Sequence, residues 1–82
     1  MTSVDEVITL LKEISEDPHA TKNTKSKIEG IIKILSAEEE LSMRLNKASH
    51  ELDELASNSD IDSYTRTQLL GVVSALETVD EE

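Results

Sequence analysis

Apolar residues recur along this chain at steps of three and four, in four runs separated by short polar stretches. That period marks helices which bury one face. The first run, Val4, Val7, Ile8, Leu11 and Ile14, follows Ser3-x-x-Glu6, a capping-box spacing that satisfies backbone N–H groups at a helix start. Asp17-Pro18 ends it, because the residue before proline avoids helical backbone and proline has no N–H to donate. A second helix begins between Thr21 and Thr24 and carries Ile28, Ile31, Ile32 and Leu35 on one side. Ser36-Ala-Glu-Glu39 repeats the capping-box spacing and places the start of a third helix there, with a stripe of Leu41, Leu45, Ala48, Leu52 and Leu55. Asn58-Ser-Asp60 reads as a stop. Asp60 or Asp62 then caps a fourth helix bearing Thr65, Leu69, Val72, Val73, Leu76 and Val79.

A competing reading fuses the second and third helices, since neither Gly nor Pro lies between Leu35 and Leu41. A helix over residues 24–57 would run about 50 Å, too long for a domain of this size to bury. Four separate helices are therefore expected, as an all-α protein of antiparallel helices. It forms one domain, 1–82, with hairpins at about 3–36 and 37–79 and a solvated acidic tail at 80–82.

The two hairpins repeat one another. At an offset of 41 residues, Leu11 falls on Leu52, Glu13 on Glu54, Thr24 on Thr65, Gly30 on Gly71 and Leu35 on Leu76. Every apolar residue from Leu11 to Leu35 meets an apolar residue of the second copy, and Lys25 meets Arg66. Glycine inside a helix costs about 1 kcal/mol relative to alanine, so the coincident Gly30 and Gly71 are expected at close helix-helix contacts. A period near 41 falls in the range of HEAT and armadillo repeats, which stack two-helix units over a shared core. Two HEAT-like hairpins, or an irregular four-helix bundle, are the forms this length allows.

Composition narrows the chemistry. Tyr64 is the only aromatic residue among 82, so the core must be aliphatic. Cysteine is absent, which removes disulfides, thiol nucleophiles and thiolate metal sites. The first residues lack the basic and apolar regions of a signal peptide, and no apolar run approaches the roughly 18 residues of a membrane span. A soluble, cytoplasmic protein with no membrane partner is expected. The formal net charge of −10 repels phosphate backbones and disfavours DNA.

No constellation supports catalysis or a cofactor. Ser49, His50 and Asp53 are the nearest approach to a nucleophile and base, but adjacent helical residues point roughly 100° apart. Glu16-Asp-Pro-His19 has the letters of a helical metal pair, yet Pro18 breaks the helix that the spacing needs. Glu38-Glu-Glu40 lacks the alternating ligands and Gly of a calcium loop. Gly30 and Gly71 stand too far apart to cradle a phosphate.

One compositional anomaly remains. Residues 20–36 carry Lys22, Lys25, Lys27 and Lys33 against Glu29 alone. They either offset the charge of acidic neighbours or form a docking strip for an acidic partner or RNA. Lys33 is expected to pair with Glu29 one turn away.

Leu10-Leu-Lys-Glu-Ile-Ser-Glu-Asp-Pro18, Leu41-Ser-Met-Arg44, Asp53-Glu-Leu55, Tyr64-Thr-Arg-Thr67 and Val73-Ser-Ala-Leu-Glu77 together resemble an uncharacterised family of short, acidic archaeal proteins. The family's usual Trp in the fourth helix and second Pro near Ser59 are missing here. The resemblance implies a HEAT-like helical fold and brings no activity or ligand with it. The reading that follows is a non-catalytic protein-interaction module that binds a partner or itself. Its alternative is an accessory ribonucleoprotein component touching RNA through the basic helix.

Overall fold

The computed structural model describes residues 2–81, apart from the side chain of Glu81. The chain forms α1 (Val4–Glu16), α2 (Lys22–Ser36), α3 (Leu41–Ala56) and α4 (Ser63–Glu77), with short strands β1 (Thr2–Ser3) and β2 (Val79–Glu81) at its ends. Ser3 caps α1 by accepting from the Glu6 N–H at 3.3 Å, and Asp17 turns extended before Pro18. Thr21 caps α2, its Oγ1 accepting from the Thr24 N–H at 3.1 Å.

The start of α3 differs from the sequence expectation. Ser36 is the last residue of α2 rather than a cap, and α3 opens after Glu40 with no side-chain cap bond. A tertiary tie overrides the local motif here. Arg44 is buried, and it donates from Nη1 to the Leu35 carbonyl at 2.9 Å and from Nε to the Glu39 carbonyl at 3.0 Å. One guanidinium thereby closes the end of α2 and pins the loop. The same tie keeps α2 and α3 separate. Val79, expected on the stripe of α4, instead begins β2, which pairs in parallel with β1 in the register Thr2 to Val79.

Each helix packs on its two neighbours in the ring α1, α2, α3, α4 and back to α1, an antiparallel four-helix bundle. Its core is aliphatic, with Val7, Leu11, Ile28, Leu35, Ala48, Leu52 and Leu69 fully enclosed. On α3 the expected stripe is buried at Ala48, Leu52 and Leu55 and half-buried at Leu41 and Leu45.

The internal repeat is a property of the structure. Helices α2 and α4 have the same length, 15 residues, and their bounds coincide at the offset of 41. Their buried residues coincide as well, Thr24, Ile28, Ile31 and Leu35 in one and Thr65, Leu69, Val72 and Leu76 in the other. Even the turns match. The Asp17 carboxylate accepts from the His19 N–H at 2.8 Å, and the Asn58 amide oxygen accepts from the Asp60 N–H at 2.9 Å. The ring order then relates the two hairpins by an approximate twofold axis along the bundle, carrying α1 onto α3 and α2 onto α4.

The glycines do not do what the repeat suggested. Gly30 and Gly71 are exposed, and a Cβ added at either would meet nothing within 4 Å. They lie beside open grooves instead of at close contacts, so their helix cost is uncompensated by packing. Gly30→Ala should raise stability by about 0.5 to 1 kcal/mol. A urea midpoint that falls on this substitution would contradict the open geometry.

Candidate functional site

The four lysines of the basic segment do not form one surface. At roughly 100° per residue, Lys22 and Lys33 share the outer face of α2 while Lys25 and Lys27 lie on opposite flanks. Lys25 is half-buried, and Lys27 faces Glu51 and Glu54 of α3 around a cavity of about 180 Å³. The expected pairing of Lys33 with Glu29 is not made, since no ion pair joins them among the described residues. The arrangement therefore splits the segment between charge balance on the α3 side and two cations in solvent.

The polar constellations of the turns are local. His50 pairs through Nε2 with Glu54 Oε1 at 3.0 Å and not with Ser49. His19 Nδ1 contacts Asp17 Oδ1 at 2.9 Å, and its ring meets the Tyr64 ring edge-on at 6.2 Å. The His19 backbone N–H, and then its side chain, hold the Asp17 carboxyl below the ordinary carboxylate value. Between the starts of α2 and α4 lies a cavity of about 190 Å³ reached by Thr24, Asp60, Asp62 and Thr65. The Thr65 hydroxyl makes no hydrogen bond of good geometry, yet it lies close enough to Asp62 to hold that carboxyl low. Thr21 stands at the start of α2 and Asp62 at the start of α4, and the carboxylates of Asp60 and Asp62 oppose an incoming anion. Among the described residues no three His, Asp or Glu side chains gather to hold a metal ion.

Two buried or half-buried arginines carry structural roles that periodicity did not reveal. Besides Arg44, Arg66 donates from Nε to the Ala56 carbonyl at 2.9 Å and from Nη2 to those of Asn58 and Ile61 at 3.0 and 3.2 Å. Both appear in the family-like motifs quoted above. That placement was the only signal.

A broad apolar opening lies in the groove between α1 and α4. One cavity of about 280 Å³ is lined by Leu10, Glu13, Ile14, Gln68, Gly71 and Val72. A second, of about 390 Å³, continues from Leu10 past Glu6 and Thr9 to Thr2 and Ala75. Leu10 is 39 % exposed in the wall they share. Gly71 and Ala75, one turn apart on α4, leave the backbone of that helix approachable. Tyr64 stands 56 % exposed at one end, where its hydroxyl accepts from Gln68 Nε2 at 3.3 Å.

Sequence and fold comparisons place this arrangement. The model of the uncharacterised protein family UPF0147 matches residues 1–79. The chain belongs to this family. A UPF0147 protein of Thermoplasma volcanium is 34 % identical over 76 residues, covering 92 % of this chain and 85 % of that protein. The crystal structure of a UPF0147 protein from Thermoplasma acidophilum superposes with a TM-score of 0.86 at 31 % identity, over 93 % of this chain and 91 % of that one. The unknown-function protein MMP1188 gives the same TM-score, 0.86, at 31 % identity, over 94 % of this chain and 89 % of its own. The archaeal resemblance carried by the sequence motifs is thus to UPF0147, and the Thermoplasma acidophilum member shares the fold of this chain. Among the described residues no helix is long and apolar enough to cross a membrane.

Proposed function

We propose that this UPF0147 protein is a non-catalytic, cytoplasmic interaction module that binds a partner protein in the groove between α1 and α4. The observation that carries this reading is the open apolar floor of that groove, where Leu10 is exposed beside the bare backbone at Gly71. A bundle of this size has every reason to cover such surface itself, and grooves between helices commonly accept a further helix. The packed bundle supplies the frame for it, and nothing in the reading needs a cofactor.

Gly71→Gln tests the proposal, because the added side chain enters open space and fills the groove while removing a helix-weakening glycine. Affinity capture from native cell extract is compared for both proteins, with and without nuclease. The expected result is a nuclease-resistant protein partner recovered by the wild type and lost by the folded variant. Recovery that depends on RNA, and that is lost on reversing Lys22 and Lys33, would replace this reading with the ribonucleoprotein one.

A further inference from the structure

The approximate twofold axis gives the α1/α4 groove a built-in reference, the equivalent groove between α2 and α3. Position by position, Gly71 corresponds to Gly30, Val72 to Ile31, Ile14 to Leu55 and Glu13 to Glu54, and each of these residues lines its own groove. The two grooves differ in how their charge is balanced. In the α2/α3 groove Lys27 stands opposite Glu51 and Glu54, and Glu54 also holds His50 at 3.0 Å. In the α1/α4 groove Lys27 is replaced by the neutral Gln68, while Glu13 is kept. Glu6 joins Glu13 on the same wall, and no lysine or arginine lines either cavity.

The apolar content is shifted in the opposite sense. Leu10 stands where Glu51 does, and Ala75 where Ile34 does, so this groove is more apolar at its wall and less filled at its floor. Gln68 Oε1 is left with no donor. One groove carries a lysine among its acids, and its twin has acids without a lysine or arginine and a less filled floor.

We infer that the α1/α4 groove receives a cationic amphipathic helix of a partner protein, whose apolar stripe covers Leu10, Gly71 and Ala75 and whose lysines or arginines supply the charge that Lys27 supplies in the twin groove. This deepens the interaction reading and rests on it. Glu6 and Glu13 lie seven residues apart, about 10.5 Å along α1, which matches basic residues spaced i and i+7 on a facing helix. Gly71 and Ala75 permit the close axial approach that such packing requires. The one basic helix of a second copy does not fit this description, because the exposed face of α2 offers lysines beside Ser26, Glu29 and Gly30 but no apolar stripe. The overall charge of −10 favours a basic partner over long range as well.

The probe is a labelled synthetic helix of about 16 residues with a leucine stripe and lysines at i and i+7 on its border, read by fluorescence anisotropy. Its control carries glutamate in place of those lysines. The basic peptide is expected to bind, more weakly as salt rises. Combined Glu6→Gln and Glu13→Gln should weaken it by about tenfold or more, against less than about threefold for Glu38→Gln with Asp53→Asn, which removes the same charge elsewhere. Gly71→Gln should abolish binding with the helical circular dichroism unchanged. Equal loss from the remote pair would show non-specific attraction and overturn the inference, as would equal binding of the acidic peptide. Loss of the extract partner in Gly71→Gln, without preference between the peptides, would overturn the cationic helix while leaving the interaction module standing. A groove-dependent dimer in sedimentation would overturn it in favour of a second copy.

Discussion

Leu52→Ala is expected to destabilise the bundle by about 2 to 5 kcal/mol. Leu52 is fully enclosed in the C-terminal half of α3, which packs on both α2 and α4, so the cavity left behind has walls on two sides and little freedom to collapse. For a domain of this length total stability is about 4 to 12 kcal/mol, and a loss of this size removes a large share of it. Leu11 is the twofold equivalent on α1 and is enclosed to the same degree, so Leu11→Ala should cost a similar amount. Leu10→Ala, one residue away but 39 % exposed, should cost far less. Urea midpoints for the three variants decide the matter. A Leu52→Ala midpoint no lower than that of Leu10→Ala would refute the enclosure of Leu52 in the core.

Arg44→Met is expected to cost about 1 to 3 kcal/mol although it removes a charge from the interior and keeps the side-chain volume. The loss comes from the carbonyls of Leu35 and Glu39, which would lose their donors at the end of α2 and in the loop before α3. Arg44→Lys should recover only part of that stability, because an ammonium lacks the planar fork that reaches two carbonyls at once. Thermal melts are a sensitive readout, since 1 kcal/mol moves the midpoint by about 4 to 8 °C in domains of this size. If methionine were as stable as arginine, the burial of Arg44 would be incidental and the α2–α3 loop would be held by something else.

Much of the fold was readable along the chain because helices announce themselves locally. Ser3 and Thr21 cap with their own side chains, and Pro18 stops α1 by its own geometry. The failures share one cause, which is that the deciding partner lies in another element or is absent. Ser36 has the capping-box spacing, yet Arg44 draws the α2 end into a different path. The mid-helix glycines suggested close packing, but the space beside them is open. Of the candidate docking lysines, Lys27 lies on the α3 flank, around one cavity with Glu51 and Glu54, away from Lys22 and Lys33. The groove between α1 and α4 was invisible in the linear pattern, because it depends on which flanks of the first and last helices meet.

What the sequence by itself determined is the number of helices, the core face of each and the repeat that relates them. Those follow from side-chain period, caps and breakers, which act within a turn or two of chain. Tertiary structure alone decided that the ring closes with α1 against α4, that Arg44 and Arg66 hold two of the loops, and that Thr2 pairs with Val79. It also decided that two grooves descended from one repeat end in different electrostatic states. Each of these turns on groups brought together from distant positions, where packing and charge, not local propensity, select the arrangement.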